Sequence, residues 1–350
     1  MSAVLPSRPA EDGTPGGAAA TVGATHPSPA AAAGDPAGGV SVLTVTVNPA
    51  LDWTLEVPGL TVGAVNRAAS ASVRPGGKGV NVATALALAG HAVAATGFLG
   101  RDNERPFTDR FAALRISDHF VRLPGATRIG VKLVDPRADS TTDVNLPGLE
   151  PDAVAQAELK RRIEAIPCAW LAIGGSLPPG FAPATLATLI AARRASGGAV
   201  ALDATGAALR AGLAAGATVI KPNQSELEEL MGRPLPEESD VILAARQLLA
   251  DHPALESVLA SLGAEGACLI SRESAVLARP PKMRVHSTVG AGDALLAGFI
   301  AARLRALDPA ESLRLATGFA IATLARAAGD PRGQRPPESL AQDVTLRVAP

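Results

Sequence analysis

From Val40 onward, two kinds of apolar pattern alternate along the chain. Short runs rich in valine and isoleucine, VSVLTVTVN (40–48), AVAATGF (92–98), WLAIGG (170–175), AVALDA (199–204) and ATVIKPN (217–223), predict buried strands. Between them lie segments whose apolar residues recur at helical spacing: GVNVATALALAG (79–90), ended by Gly90, then 104–115, 151–165, 182–195, 206–214 and 236–250. That alternation predicts a mostly parallel sheet with helices on both faces, a three-layer α/β architecture. Two stretches, 52–74 and 119–146, break the rhythm with consecutive strand-like pieces. We expect them to form a separate small β-sheet placed beside a cleft as a lid. Residues 256–279 again read as adjacent strands, before two closing helices at about 292–307 and 310–327.

Composition sets the outer limits. Residues 1–39 are dominated by Ala, Gly, Pro, Ser and Thr without periodicity, so this extension cannot bury enough surface to offset its ordering entropy, and disorder is expected. It lacks the basic start and apolar core of a secretory signal. The single folded domain is expected to span 40–345. Across all 350 residues, 47% are hydrophobic and 19% charged, with a net charge of −1, which leaves no basic footprint for nucleic acid or an anionic membrane. Apolar stretches are interrupted before the ~18 residues a membrane span needs. Cys168 and Cys268 each sit in a strand-like run, with no CxxC or Cys/His cluster. This argues against a disulfide framework or zinc site and for a reducing, cytoplasmic setting.

The chemistry is concentrated in two glycine-rich loops. In STVGAGDALLAGFIAARL (287–304), the small turn Gly290-Ala291-Gly292 opens a helix whose Leu295, Leu296, Phe299, Ile300 and Leu304 share one face. Free N–H groups and a partial positive charge at such a helix start suit an anion. Asp293 stands at the same place. An aspartate there is ordinarily a helix cap. Beside an anion site it would repel a bound phosphate, unless it takes the proton from an attacking hydroxyl. The second loop, RPGGKGVNVATALALAG (74–90), is not a Walker A motif, because Lys78 is followed by Gly79, and neither loop gives the GxGxxG of a dinucleotide site. Its Gly76, Gly77 and Gly79 allow close backbone approach, Lys78 can meet a phosphate and Asn81 a sugar hydroxyl.

Taken together, these two loops resemble the paired signatures of the ribokinase-like (PfkB) carbohydrate kinases. KPNQSELEEL (221–230) and SLGAEGA (261–267) are similar to further motifs of that family in the same order, and the resemblance extends over 42–328. Within the family, TVNPALD (46–52), GFLGRDN (97–103), TRIGVKL (127–133), GGSLPPG (174–180) and ARPPKMRVHSTVGAGD (278–293) look most like the branch of 1-phosphofructokinases and tagatose-6-phosphate kinases. One departure is Gly130, where that branch usually carries Asn.

The resemblance implies a ribokinase-like fold, ATP and Mg²⁺, and a set of roles. Asp293 becomes the catalytic base, with Gly290, Ala291 and Gly292 stabilising charge on the transferred phosphoryl group, as phosphoryl transfer requires. Lys221, Asn223, Ser261, Gly263, Gly266 and Thr288 line the nucleotide, and Glu226 of the N-x-x-E pattern holds Mg²⁺ through water. A first-turn helix carboxylate is the ordinary alternative for Glu226. Asp52, Gly77, Lys78 and Asn81 face the sugar. Arg128 and Lys132, four apart in a strand-like run, put two cations on one side and favour a substrate that already carries a phosphate. The implied reaction converts fructose 1-phosphate and ATP to fructose 1,6-bisphosphate. Tagatose 6-phosphate or fructose 6-phosphate is the alternative substrate, and a catalytically silent sugar-phosphate sensor the alternative of another class. An exposed lid edge makes a homodimer the expected assembly.

Overall fold

The computed structural model describes residues 39–283 and 288–349. The disorder expected for the N-terminal extension concerns residues 1–38, which lie outside this range, as do positions 284–287 at the approach to the Gly290-Ala291-Gly292 turn. The chain opens with β1 (Val42–Thr46), every residue of it buried. An antiparallel pair, β2 (Ala50–Glu56) and β3 (Ser70–Gly76), leads into α1 (Lys78–Leu88), and β4 (Val93–Gly100) returns parallel to β1. After α2 (Arg105–Leu114), the short β5 (Ser117–Asp118) and β6 (Val121–Leu123) lie along β4, and β7 (Ile129–Asp135) with β8 (Ser140–Asn145) forms a second antiparallel pair. Strand and helix then alternate: α3 (Ala153–Ala165), β9 (Trp170–Gly174), α4 (Pro183–Ala195), β10 (Ala199–Asp203), α5 (Gly206–Ala214), β11 (Val219–Ile220), α6 (Gln224–Met231), α7 (Glu238–Asp251) and β12 (Ser257–Ser261). The chain ends with β13 (Ala267–Ile270), β14 (Ala275–Arg279), α8 (Ala291–Leu304), α9 (Pro309–Ala327), α10 (Pro337–Ala341) and β15 (Thr345–Ala349).

The large sheet has the order β15-β14-β13-β12-β11-β10-β9-β1-β4-β5. It is parallel from β5 to β12, where helical crossovers return each strand to the same end, and antiparallel from β12 to β15, where tight turns or a return across the sheet replace them. Alternate residues of each strand feed two cores: Leu43, Val45, Val200 and Leu202 pack under α3, α4, α5 and α7, and Val42 and Ala201 under α1, α8 and α9. Burial on both faces explains why these strands read as continuous apolar runs.

A smaller sheet has the order β3-β2-β7-β8, with β2 and β7 parallel. Register divides its residues between two faces. Ala50, Asp52 and Thr54 share one with Gly130, Lys132, Asp143 and Asn145; Trp53, Val73, Val131 and Val144 line up across all four strands on the other. Two features differ from the sequence reading. Residues 121–123 extend the large sheet beside β4 instead of joining the small one, and the chain beyond α9 adds α10 and the edge strand β15. The run TLRVA is too short, and too polar at Thr345 and Arg347, to signal a strand unaided.

Candidate active site

α8 is buried along nearly its whole length, Asp293 to Ala302, because its apolar residues surround it. Its N-cap is Gly290, held at φ 79° in the left-handed region that glycine adopts without strain, and no side chain caps the helix. Asp293 is therefore not a cap. Asp293 is 7% exposed and its carboxylate accepts a hydrogen bond from Asn81 Nδ2 at 2.7 Å, which ties the Gly290–Gly292 turn to the first turn of α1. Burial, reinforced by the neighbouring Asp203 carboxylate, pushes the Asp293 carboxyl up to about 6, against the opposing pull of Asn81, Lys221 and Lys78. A carboxylate tuned upward to that range is suited to general-base work near neutrality.

Asp203, the last residue of β10, is 1% exposed and was not singled out in the sequence. Lys78 Nζ donates to its Oδ1 at 2.7 Å, and Lys221 Nζ lies 3.2 Å from its Oδ2. The signal was present: a carboxylate closing an apolar strand at the carboxyl end of a parallel sheet stands where ligands gather. Lys78, grouped above with the sugar contacts, has Asp203, Glu226 at 4.0 Å and Asp293 as its charged neighbours. Burial acts to lower its ammonium, but Asp203, then Glu226 and Asp293, outweigh it and hold it above its ordinary value. Lys221 is buried, and a β-carbon added at Gly292 would lie 3.3 Å from its Nζ, so its ammonium sits directly against the start of α8. Two ammonium groups and a helix N-terminus thus converge beside Asp293, with Asp203 as their internal counter-ion.

The two turns expected to line the nucleotide run beside each other. Asn223 and Ser261 form a parallel bridge, and Ser261 N–H donates to Pro222 O at 3.0 Å, so the KPN and SLGAEGA turns run side by side. Gly263 and Gly266 close the second turn, with Gly266 N–H on Gly263 O at 3.2 Å. Asn223 caps α6: its side chain accepts from Glu226 N–H at 2.7 Å, and Glu226 Oε2 accepts from Asn223 N–H at 2.9 Å. The helix-start reading of Glu226 is thus realised, while its Oε1 remains turned toward Lys78. Thr288 is exposed, and its carbonyl accepts from Ala291 N–H at 3.2 Å at the mouth of the turn.

Asp52 stands on the polar face of the small sheet, and a β-carbon on Gly76 would collide with its carboxylate, so it abuts the chain that becomes α1. Gly77, at φ 113°, makes the turn into that helix. Burial raises the Asp52 carboxyl, with Lys132 and Arg128 pulling it down less than burial lifts it. Both cations therefore act on one carboxylate. Lys132 pairs with Asp143 at 3.2 Å, and Arg128 donates to Asn48 O and to Asn145 Oδ1 at 3.3 Å. Asn48, Asp143 and Asn145 are additions to the candidate set. Among the described residues no cluster of three or more His, Cys, Asp or Glu side chains is placed to cage a metal, and no helix is long and apolar enough to cross a membrane.

Comparison with known proteins identifies the family. The model of the pfkB family carbohydrate kinases matches residues 46–331. The 1-phosphofructokinase of Rhodobacter capsulatus is 44% identical over 318 residues, covering 88% of this chain and 98% of that protein, and the 1-phosphofructokinase of Escherichia coli K12 is 38% identical over 290 residues, covering 81% and 90%. Among solved structures, phosphofructokinase-2 from Escherichia coli in complex with substrates and products superposes with a TM-score of 0.79 at 27% identity, covering 87% of this chain and 97% of that one. The helix start with its buried carboxylate, the two lysines and the matched sequences lead to one assignment: the chain belongs to the pfkB family of carbohydrate kinases and is an ATP-dependent sugar kinase.

Proposed function

We propose that this kinase phosphorylates fructose 1-phosphate, giving fructose 1,6-bisphosphate and ADP. The observation that carries the reading is the buried Asp293 carboxylate, raised to about 6 and held by Asn81 at the mouth of a cationic helix start. In the reaction the free primary hydroxyl of the sugar phosphate attacks the γ-phosphorus of ATP. Its oxygen forms the new bond, its proton passes to Asp293, and the bond from the γ-phosphorus to the bridging β,γ-oxygen breaks to release ADP. Lys221 and the first turn of α8 supply positive charge against the negative oxygens of the transferring group, and Lys78, anchored on Asp203, adds a second cation beside them. Asn223, Ser261, Gly263, Gly266 and Thr288 form the wall assigned to the nucleotide.

Magnesium fits this donor set. A single Glu226 oxygen turned inward, with no cluster of further ligating side chains among the described residues, matches an ion that binds phosphate oxygens and keeps most of its water. Bound there, it would neutralise charge on the β- and γ-phosphates. Fructose 1-phosphate is preferred because Arg128 and Lys132 act together on the Asp52 face, and because the cited relatives are 1-phosphofructokinases. We assign the small sheet as the lid of a single kinase domain and its apolar face, where Trp53 is 40% and Val144 49% exposed, to a second copy of the chain. A phosphofructokinase-2 from Escherichia coli has been solved as a tetramer. The two unpaired cysteines agree with a reducing cytoplasm.

A panel of fructose 1-phosphate, fructose 6-phosphate and tagatose 6-phosphate, with ATP and Mg²⁺ and with product regiochemistry read by phosphorus NMR, tests the assignment. Fructose 1-phosphate should give the highest kcat/KM and the 1,6-bisphosphate as product. A higher kcat/KM for either 6-phosphate would overturn the substrate, and failure of ATP turnover with all three would point to the silent sensor.

A further inference from the structure

Position 130 carries glycine on the polar face of the small sheet, between the two cations Arg128 and Lys132. Register sets it directly between Asp52 of β2 and Asn145 of β8. A β-carbon there would lie 3.0 Å from Asp52 Oδ1 and 3.2 Å from Asn145 Oδ1, tighter than most side-chain contacts, so the glycine leaves a notch walled by a carboxylate and a carboxamide oxygen. Asn145 is exposed, and Arg128 donates to its Oδ1 at 3.3 Å. Arg128 is itself anchored on Asn48 O, which gives it a fixed direction from which to hold the amide. With the oxygen turned toward Arg128, the two amide N–H donors are the free end of the side chain, and no described residue accepts from them.

We infer that Asn145 is a sugar-binding residue, donating through Nδ2 to a hydroxyl of the bound ketohexose phosphate while Asp52, on the same sheet face, accepts from the same or the adjacent hydroxyl. The inference rests on the assignment of this sheet face to the sugar phosphate. Its chemistry follows from complementarity. A sugar hydroxyl is both donor and acceptor, and cations alone, such as Arg128 and Lys132, satisfy only its lone pairs. Asp52 supplies acceptors, and Asn145 is the neutral donor standing beside it. Neutrality matters here: a third charged donor would add to phosphate attraction without reading the hydroxyl pattern.

The experiment compares Asn145→Ala, Asn145→Asp and Arg128→Ala by steady-state kinetics in the full-length enzyme, with melting temperature as a folding control. Asn145→Ala should raise KM for the sugar phosphate about tenfold, the loss of one well-placed hydrogen bond, with KM for ATP and melting temperature unchanged. Asn145→Asp keeps the oxygen that Arg128 holds but lacks the donors, and should lose at least as much. Wild-type KM in Asn145→Asp alongside a loss in Asn145→Ala would show that the residue serves only to hold Arg128, and would overturn the inference. So would wild-type KM in Asn145→Ala while Arg128→Ala raises it. If Arg128→Ala also leaves KM for the sugar phosphate unchanged, the assignment of the face itself fails, and the inference with it.

Discussion

The acid limb of the turnover number is where the buried charge cluster should express itself. With Asp293 raised to about 6, its base form is about half populated at pH 6 and about a tenth at pH 5, so kcat at saturating substrates should fall on that schedule. Two substitutions should move the limb in opposite directions. Asp203→Asn removes a like charge that raises Asp293, and the limb should shift to lower pH. Lys78→Met removes a cation that lowers Asp293, and the limb should shift to higher pH. The substrate phosphate also titrates near about 6, but it is common to all three enzymes, so the differences between profiles carry the test. Asp293→Asn should abolish the limb and cut kcat by about 10²–10⁴. The stability sign is the reverse of the activity sign. A carboxyl whose folded value lies above its unfolded value contributes stability that is complete below about 4 and is lost as pH rises through about 6. The melting temperature of Asp293→Asn should therefore rise relative to wild type between those two pH values. Coincident limbs in wild type, Asp203→Asn and Lys78→Met, or an upward shift in Asp203→Asn, would refute this account of the site.

Three further outcomes follow from the same geometry. Arg128→Ala and Lys132→Ala should each raise KM for the sugar phosphate by roughly tenfold to a hundredfold, the worth of one charge-assisted contact, with KM for ATP little changed; equal effects on both substrates would remove these residues from the sugar side. Asp203→Asn leaves two ammonium groups without their shared carboxylate at a site 1% exposed, and should destabilise the fold by about 3–5 kcal/mol in chemical denaturation. Saturating ATP, whose phosphates can replace the lost charge, should recover more of the melting temperature in that variant than in wild type. Trp53→Asp, on the apolar face of the small sheet, should lower the molar mass measured by light scattering to that of one chain while leaving the fold intact.

The parallel core was legible because each of its strands is buried on both faces and therefore reads as an unbroken apolar run, and because helices with one apolar stripe separate them. The glycine loops were legible for a different reason: small residues, a lysine and an aspartate at a helix start form a local pattern. What escaped was nonlocal. Asp203 looks like the end of a strand until Lys78 and Lys221, far away in sequence, are seen to close on it. Asn145 looks like one polar residue among several in STTDVN until register sets it opposite Gly130. The capping reading of Asp293 was reasonable from its position alone; it gives way because Gly290 starts the helix by backbone geometry and Asn81 occupies the carboxylate. Residues 121–123 have the same alternation as the small sheet, and only their pairing with β4 distinguishes them.

The alternation of faces in the small sheet also constrains how this protein can change over generations. Asp52 and Trp53 are neighbours in one strand, yet one belongs to the side assigned to chemistry and the other to the side assigned to assembly. Substitutions can adjust either side without touching the other. Insertion or deletion of a single codon within β2, by contrast, would turn the carboxylate outward and the indole inward in one step. Length variation in this part of the gene should therefore be confined to the 57–69 connection between β2 and β3, and to the short turn after Asp135, where a changed count leaves both faces in frame.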